Sequence, residues 1–273
     1  MARKSSVKIS DKRKKQKIIG CLLALLLIAA AGIVYVKKAE FAIRWHRMFE
    51  SLSLSTVEKD PIPDPERWRL LRQDLQRWRV HYAAAYRSAA TGEEKHKVLE
   101  DARALLENTM PEMMRCWLGT PWDFNGTATE PGEGKIACGY FVSTVMEGAE
   151  FQVSRTQLAQ QASQNILRTF LKQNDLRLRV GVPYKTFCQE MMRCESGIYI
   201  IGLDTHIGFL IVKNQSLIFL HSSGSKPWCV VEESGEQAHV LEKSNYRVMG
   251  NITGSDDVLR RWLLGDAFAT FYQ

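Results

Sequence analysis

Cys138, His206 and His221 are the side chains in this sequence whose types and neighbours suit nucleophilic chemistry. Cys138 follows a loop punctuated by Gly126, Gly132 and Gly134. It opens an apolar run, Phe141, Val142, Val145 and Met146, that ends at Gly148. That spacing predicts a helix with the thiol in its first turn, where unpaired backbone N–H groups and the positive end of the dipole favour an anion. A thiol so placed with a histidine beside it titrates at about 3.5–7.5, and its anion is the nucleophile. The plainer role of any single cysteine is a small buried hydrophobe, so the histidines decide between the two.

Of the six histidines, His46 lies close to an N-terminal apolar run, His81 and His96 fall on predicted helices, and His239 follows a polar loop. These four are expected at the surface or in packing. His206 and His221 lie on the two arms of one predicted hairpin. With Asn214-Gln215 at the centre of its turn, His221 faces Gly208 and His206 faces Ser223. Both imidazoles then project from the same side of the sheet as diagonal neighbours, roughly 7–8 Å apart at Cα. Gly208 leaves a ring room to lean across. Such a pair suits a base and its orienting partner; its bland counterpart is two half-exposed strand histidines.

The elements that must position these groups are legible as periodicities. Pro61-Ile62-Pro63-Asp64-Pro65 is a stiff spacer, with Asp64 a cap and Pro65 the first residue of a helix. Trp68, Leu71, Leu75, Trp78 and Tyr82 recur at three and four residues, which predicts an amphipathic helix to about Ala90. A second helix is expected from Glu93 to about Asn108, and the hairpin they form over 64–110 packs on, or leads into, a domain over 111–273. Within that domain helices are expected at Cys138–Gly148, Arg155–Lys172, Tyr184–Arg193 and Asp256–Leu264. After Gly197, short β-branched runs at Ile198–Leu203, His206–Val212, Leu217–His221 and Trp228–Glu232, with Tyr246–Met249 beyond, read as an antiparallel meander. The class is α+β, helices followed by an antiparallel sheet.

Charge and hydropathy place the chain. Residues 1–17 hold eight basic side chains against one acid, Asp11, which equals the whole formal charge of +7; the rest carries 29 of each sign. A neutral body has no electrostatic footprint for phosphates, so nucleic acid is excluded as a partner. Ile18–Val36 is uncharged, and at 1.5 Å per residue it reaches about 28 Å, near the thickness of a bilayer core. The cations before it put the N-terminus in the cytoplasm and the body outside. The apolar run continues past Ala29-Ala30-Ala31, which favours an uncleaved single-pass anchor over a cleaved signal peptide. Residues 37–63 become a juxtamembrane linker. Export permits disulfides, but Cys116, Cys138, Cys188, Cys194 and Cys229 are odd in number. No Cys/His set has zinc spacing, and no metal or other cofactor is expected. The six-residue step from Cys188 to Cys194 is not a thioredoxin-type redox spacing.

These residues together resemble the NlpC/P60-type, papain-like cysteine peptidases over about Gly119 to Glu232. That family shows G-x-P-aromatic, a helix opening in Asp-Cys-Ser-Gly-aromatic-Val, a His-Val-Gly strand and an aromatic-aliphatic-His-Ala-Ser strand. Here the stretches read Gly119-Thr120-Pro121-Trp122, Ala137-Cys138-Gly139-Tyr140-Phe141-Val142, His206-Ile207-Gly208-Phe209 and Phe219-Leu220-His221-Ser222-Ser223, in the same order. The departures are Ala137 and Gly139-Tyr140 around the cysteine, a longer loop before it, and Trp122 or Phe124 where the family has a loop tyrosine. The resemblance implies a membrane-anchored, extracytoplasmic (periplasmic) bacterial hydrolase. Cys138 would be the nucleophile, His206 the base and His221 its orienting partner, with Trp122, Asp123, Gly139 and Ser222 at the substrate, a peptidoglycan peptide or other amide. The counter-hypothesis is a catalytically silent envelope protein that keeps the fold for binding or scaffolding.

Overall fold

The computed structural model of the chain describes residues 61–272. The basic tail 1–17, the apolar span 18–36 and all but the last three residues of the linker 37–63 lie outside the described residues. Among those described, no helix is long and apolar enough to cross a membrane.

Two long helices come first, α1 (Pro65–Ser88) and α2 (Gly92–Arg115). The Asp64 carboxylate accepts from the Arg67 amide at 2.9 Å, with Pro65 in the first turn. Thr91 and Glu94 cap α2 reciprocally. α2 runs past the expected stop at Asn108, through Pro111 to Arg115. A proline inside a helix deletes a hydrogen bond and crowds the preceding turn, at about 3 kcal/mol. Leu106, Met110, Met113 and Met114 are all buried on that stretch, and at about 1.5–3 kcal/mol per large apolar side chain their burial outweighs the proline.

Next come α3 (Cys138–Gly148), α4 (Arg155–Ala159) and α5 (Ser163–Phe170). The single helix expected over 155–172 is therefore two. The break lets the Ala159 carbonyl come against Gly139, while Ile166, Leu167 and Phe170 are buried in the core. After β1 (Arg177–Val180) and α6 (Tyr184–Met192) follow β2 (Gly197–Leu203), β3 (Ile207–Lys213), β4 (Ser216–Ser222), β5 (Val230–Ser234), α7 (His239–Lys243), β6 (Tyr246–Asn251) and α8 (Asp256–Leu264). The short β1 and α7 were not foreseen; β1 alternates Arg177 and Arg179 with exposed Leu178 and Val180 and carries no core periodicity.

The class is α+β. All six strands form one antiparallel sheet in the order β1-β6-β2-β3-β4-β5. One face, with Ile198, Ile200, Phe209 and Leu220, packs into a core shared with Trp68 and Leu106 of the first two helices, Phe141 of α3 and Trp262 of α8. The other, with Tyr199, Ile201, Leu210 and Phe219, is covered by Phe187 and Met191 of α6 and Leu241 of α7. The β3–β4 turn puts Asn214 at φ 51° and Gln215 at φ 60°, the left-handed pair that a two-residue hairpin requires. It sets the expected register, with Phe209 opposite Leu220 and Leu210 opposite Phe219.

A β-carbon on Gly139 would sit 2.5 Å from the Ala159 carbonyl oxygen. Gly139→Ala is expected to cost about 1–3 kcal/mol, read as a lower urea midpoint at unchanged m-value. An unmoved midpoint would show that α4 can shift away freely.

Candidate active site

Cys138 is the first residue of α3, which lies across β3 and β4. Its N-cap, Ala137, makes no side-chain cap hydrogen bond. Burial pushes the Cys138 thiol above the usual cysteine range, against the pull of the Ile207, Gly139 and Cys138 backbone N–H groups, which favour the anion. This corrects the expectation of a thiol titrating near neutrality. The amides at the helix start favour the anion, but enclosing the sulfur strips it of water, and that loss is larger.

The Ile207 amide places the sulfur beside the first residue of β3, which His206 precedes in the chain. The Leu203 amide donates to the His206 carbonyl at 2.8 Å, closing the β2–β3 turn. Within that turn the Asp204 carboxylate accepts from the Ser244 hydroxyl and from the Asn245 and Tyr246 amides. His206 is thus held at a tied-down strand end. Across the hairpin, His206 Nε2 lies 2.8 Å from His221 Nδ1, with the rings nearly perpendicular and their centroids 4.8 Å apart. Gly208 permits this: a β-carbon there would stand 2.8 Å from His221 Cβ.

His221 is fully buried and stacked on Phe219 at 4.1 Å between centroids. Its second nitrogen, Nε2, is 2.9 Å from Glu233 Oε2. Glu233 was absent from the sequence analysis because the strand was expected to end at Glu232. Trp228 sits in a turn at φ 63°, and β5 starts at Val230. In the observed register Glu233 is opposite Phe219 and Val231 is opposite His221, so the carboxylate is the diagonal neighbour of the buried ring. The seven-residue connection over 223–229 sets that offset, and nothing local to Glu233 signals it.

Burial, helped by the neighbouring His221, lowers His206 from 6.5 to about 3. Burial also lowers His221, opposed by Glu233. With the thiol raised and both imidazoles lowered, the thiol and the two rings rest neutral at pH 7.

The loop before α3 is laced to β5 and to itself. The Gly119 amide donates to the Val230 carbonyl and the Val230 amide to the Thr120 carbonyl, both at 2.9 Å, and the Trp122 amide donates to the Trp228 carbonyl at 2.7 Å. The Ile136 amide donates to Pro121 and that of Ala137 to Gly126. Trp122 reaches solvent and lies 5.6 Å from the Trp228 ring. Asp123 closes a turn on the Asn125 amide at 2.9 Å and meets Lys135 at 3.2 Å. Ser222 is buried and donates to the Ile136 carbonyl at 2.7 Å, tying β4 to the approach to Cys138. Gly139 is occupied by its contact with Ala159. Ser222 is thus spent on the scaffold, Gly139 packs on Ala159 while its amide faces the Cys138 sulfur, and Trp122 and Asp123 reach solvent.

Cys116, Cys138, Cys188, Cys194 and Cys229 are all free thiols. Cys116 is the inert kind, its thiol pushed by burial up to about 12. Among the described residues no three His, Cys, Asp or Glu side chains gather as a metal set; His206, His221 and Glu233 spend their facing atoms on one another. No protein-family model, curated protein or solved structure matches the chain.

The lowered imidazoles make stability depend on pH. The unfolded chain takes up these protons near pH 6.5 and the folded His206 only near 3. The contribution is therefore complete above about pH 6.5 and lost as pH falls toward 3. At about 1.4 kcal/mol per unit, discounted for a half-buried ring, the loss through His206 is about 2–4 kcal/mol. Urea midpoints of the wild type should fall between pH 7 and 4, and His206→Gln should fall less. Equal falls would place the proton uptake elsewhere.

Proposed function

We propose that this chain is a cysteine hydrolase that cleaves an amide bond, held outside the cytoplasm by the 18–36 span. The observation that carries this reading is the polar relay one residue from the thiol's neighbour: Cys138 lies beside the Ile207 amide, and the preceding residue, His206, is bonded to the buried His221 at 2.8 Å. Cys138 Sγ attacks the carbonyl carbon while His206 takes the thiol proton. The C–N bond then breaks, and the same proton passes to the departing amine. Water, deprotonated by His206, cleaves the resulting thioester and releases the acid and the free thiol. The Cys138 amide and a neighbouring loop group would receive the oxyanion, where one donor is worth about 10²–10³ in rate. The family resemblance makes peptidoglycan peptides the leading substrate class.

A silent binding role on the same fold has one observation in its favour. Burial holds the thiol up and His206 down to about 3, so no thiolate–imidazolium pair stands ready in the resting protein. The two readings part on how the thiol is activated. In a general-base site the imidazole is already free to accept across the neutral range, so alkylation of Cys138 should be flat from about pH 5 to 8 and climb only as the thiol itself ionises. His206→Ala should remove the flat limb, lowering the rate at pH 6 by about 10²-fold. The measurement is mass-spectrometric alkylation of each cysteine in the full-length chain, with buried Cys116 as the slow control. A Cys138 rate that rises about tenfold per pH unit from 5 to 8, with or without His206, would leave only the binding role.

A further inference from the structure

The hydrogen bonds around His221 determine more than its position. A carboxylate can only accept, so Glu233 Oε2, 2.9 Å away, requires the proton on His221 Nε2. A neutral imidazole carries one N–H, so His221 Nδ1 then holds a lone pair. That lone pair faces His206 Nε2 at 2.8 Å, which must therefore carry the His206 proton. What remains on His206 is Nδ1, unprotonated. The opposite assignment aims a lone pair of His221 at the carboxylate, two acceptors face to face with no solvent reaching the ring.

We propose that Glu233 is a positioning residue that sets the tautomer of both histidines and so leaves Nδ1 of His206 as the nitrogen able to take a proton. Its catalytic meaning rests on the hydrolase reading above; the tautomer assignment does not. Glu233 belongs to edge strand β5, paired within the sheet only with β4, and a strand so placed needs fixing if it is to hold a carboxylate to a hydrogen bond. The adjacent residue supplies it. Glu232 projects to the opposite face, where Arg115 of α2 grips it at 2.6 and 3.1 Å through Nε and a terminal nitrogen. Arg115 also meets Glu112 at 2.6 Å, and Glu112 pairs with Arg67 of α1. Consecutive glutamates thus do opposite jobs by strand alternation: one clamps β5 to the helical hairpin and the other orients the buried ring. When His206 takes the thiol proton, the carboxylate stands two hydrogen bonds from the imidazolium and stabilises it.

The test is a long-range ¹⁵N–¹H correlation spectrum of the ¹⁵N-histidine-labelled full-length chain at pH 7.5, with Cys138 alkylation measured on the same samples. The wild type should show His206 and His221 both protonated on Nε2 alone. Glu233→Leu, which removes the acceptor, should move both rings toward Nδ1–H and lower the flat-limb alkylation rate by about 10²–10⁴-fold, the scale of a wrong-tautomer defect in a Ser-His-Asp site. Glu233→Gln, whose amide can accept or donate, should give a mixture of tautomers and an intermediate rate. Wild-type dispersion of the backbone amide signals reports that a variant is folded. If Glu233→Leu does not fold, the wild-type spectrum carries the test by itself. Wild-type His206 protonated on Nδ1, or wild-type tautomers persisting in folded Glu233→Leu, overturns the proposal. Tautomers as expected with an inert Cys138 uphold it and remove the hydrolase reading instead.

Discussion

A buried imidazole is a demanding object. Its two nitrogens need opposite partners, and a polar group left unmet in the interior costs about 1–3 kcal/mol. His221 is such a ring, sealed between strands and stacked on Phe219. Much of the site follows from satisfying it. Gly208 clears the space above it, His206 meets one nitrogen, and Glu233 meets the other. The three polar groups come from three successive chain segments, and a one-residue slip of either strand would turn its side chains to the other face.

The same enclosure governs the charges. A thiol and an imidazole can be buried as neutral groups at far less cost than as an ion pair, and the directions of the shifts at Cys138 and His206 agree with that. The backbone amides around the sulfur are arranged for an anion that the resting state does not contain. Donors held in place before any charge appears need no reorganisation when it does, so a neutral ground state and an anion-ready setting are compatible. Rigidity comes from the surroundings: Asp204 ties the turn before His206, Ser222 ties β4 to the approach to Cys138, and Arg115 ties β5 to α2.

What the sequence revealed and concealed divides along lines of interaction range. The β3–β4 hairpin was legible because a two-residue turn fixes register locally, and that register brought His206 and His221 to one face. The start of α3 at Cys138 was legible from loop composition followed by an apolar period. The starts of α1 and α2 were legible from Asp64 and Pro65 and near Thr91. The passage of α2 through Pro111 was not, because local propensity argues against it and only the burial of Met110, Met113 and Met114 overrides it. The break between α4 and α5 was hidden for a similar reason: it answers the approach of Gly139 to Ala159, a contact about twenty residues apart.

The sequence by itself determined the participants whose placement depends on near neighbours: a thiol at a helix start, two histidines on one hairpin, a small residue between them, and an α+β order of elements. Only the tertiary structure decided the rest. It brought in Glu233 through the offset of β5, tied Ser222 to the Ile136 carbonyl, and raised the thiol while lowering the imidazoles. Periodicity and turn chemistry act within a few residues and can be read along the chain. The state of a proton depends on how much water is excluded and on which acceptor stands about 3 Å away, and both are set by segments far apart in sequence.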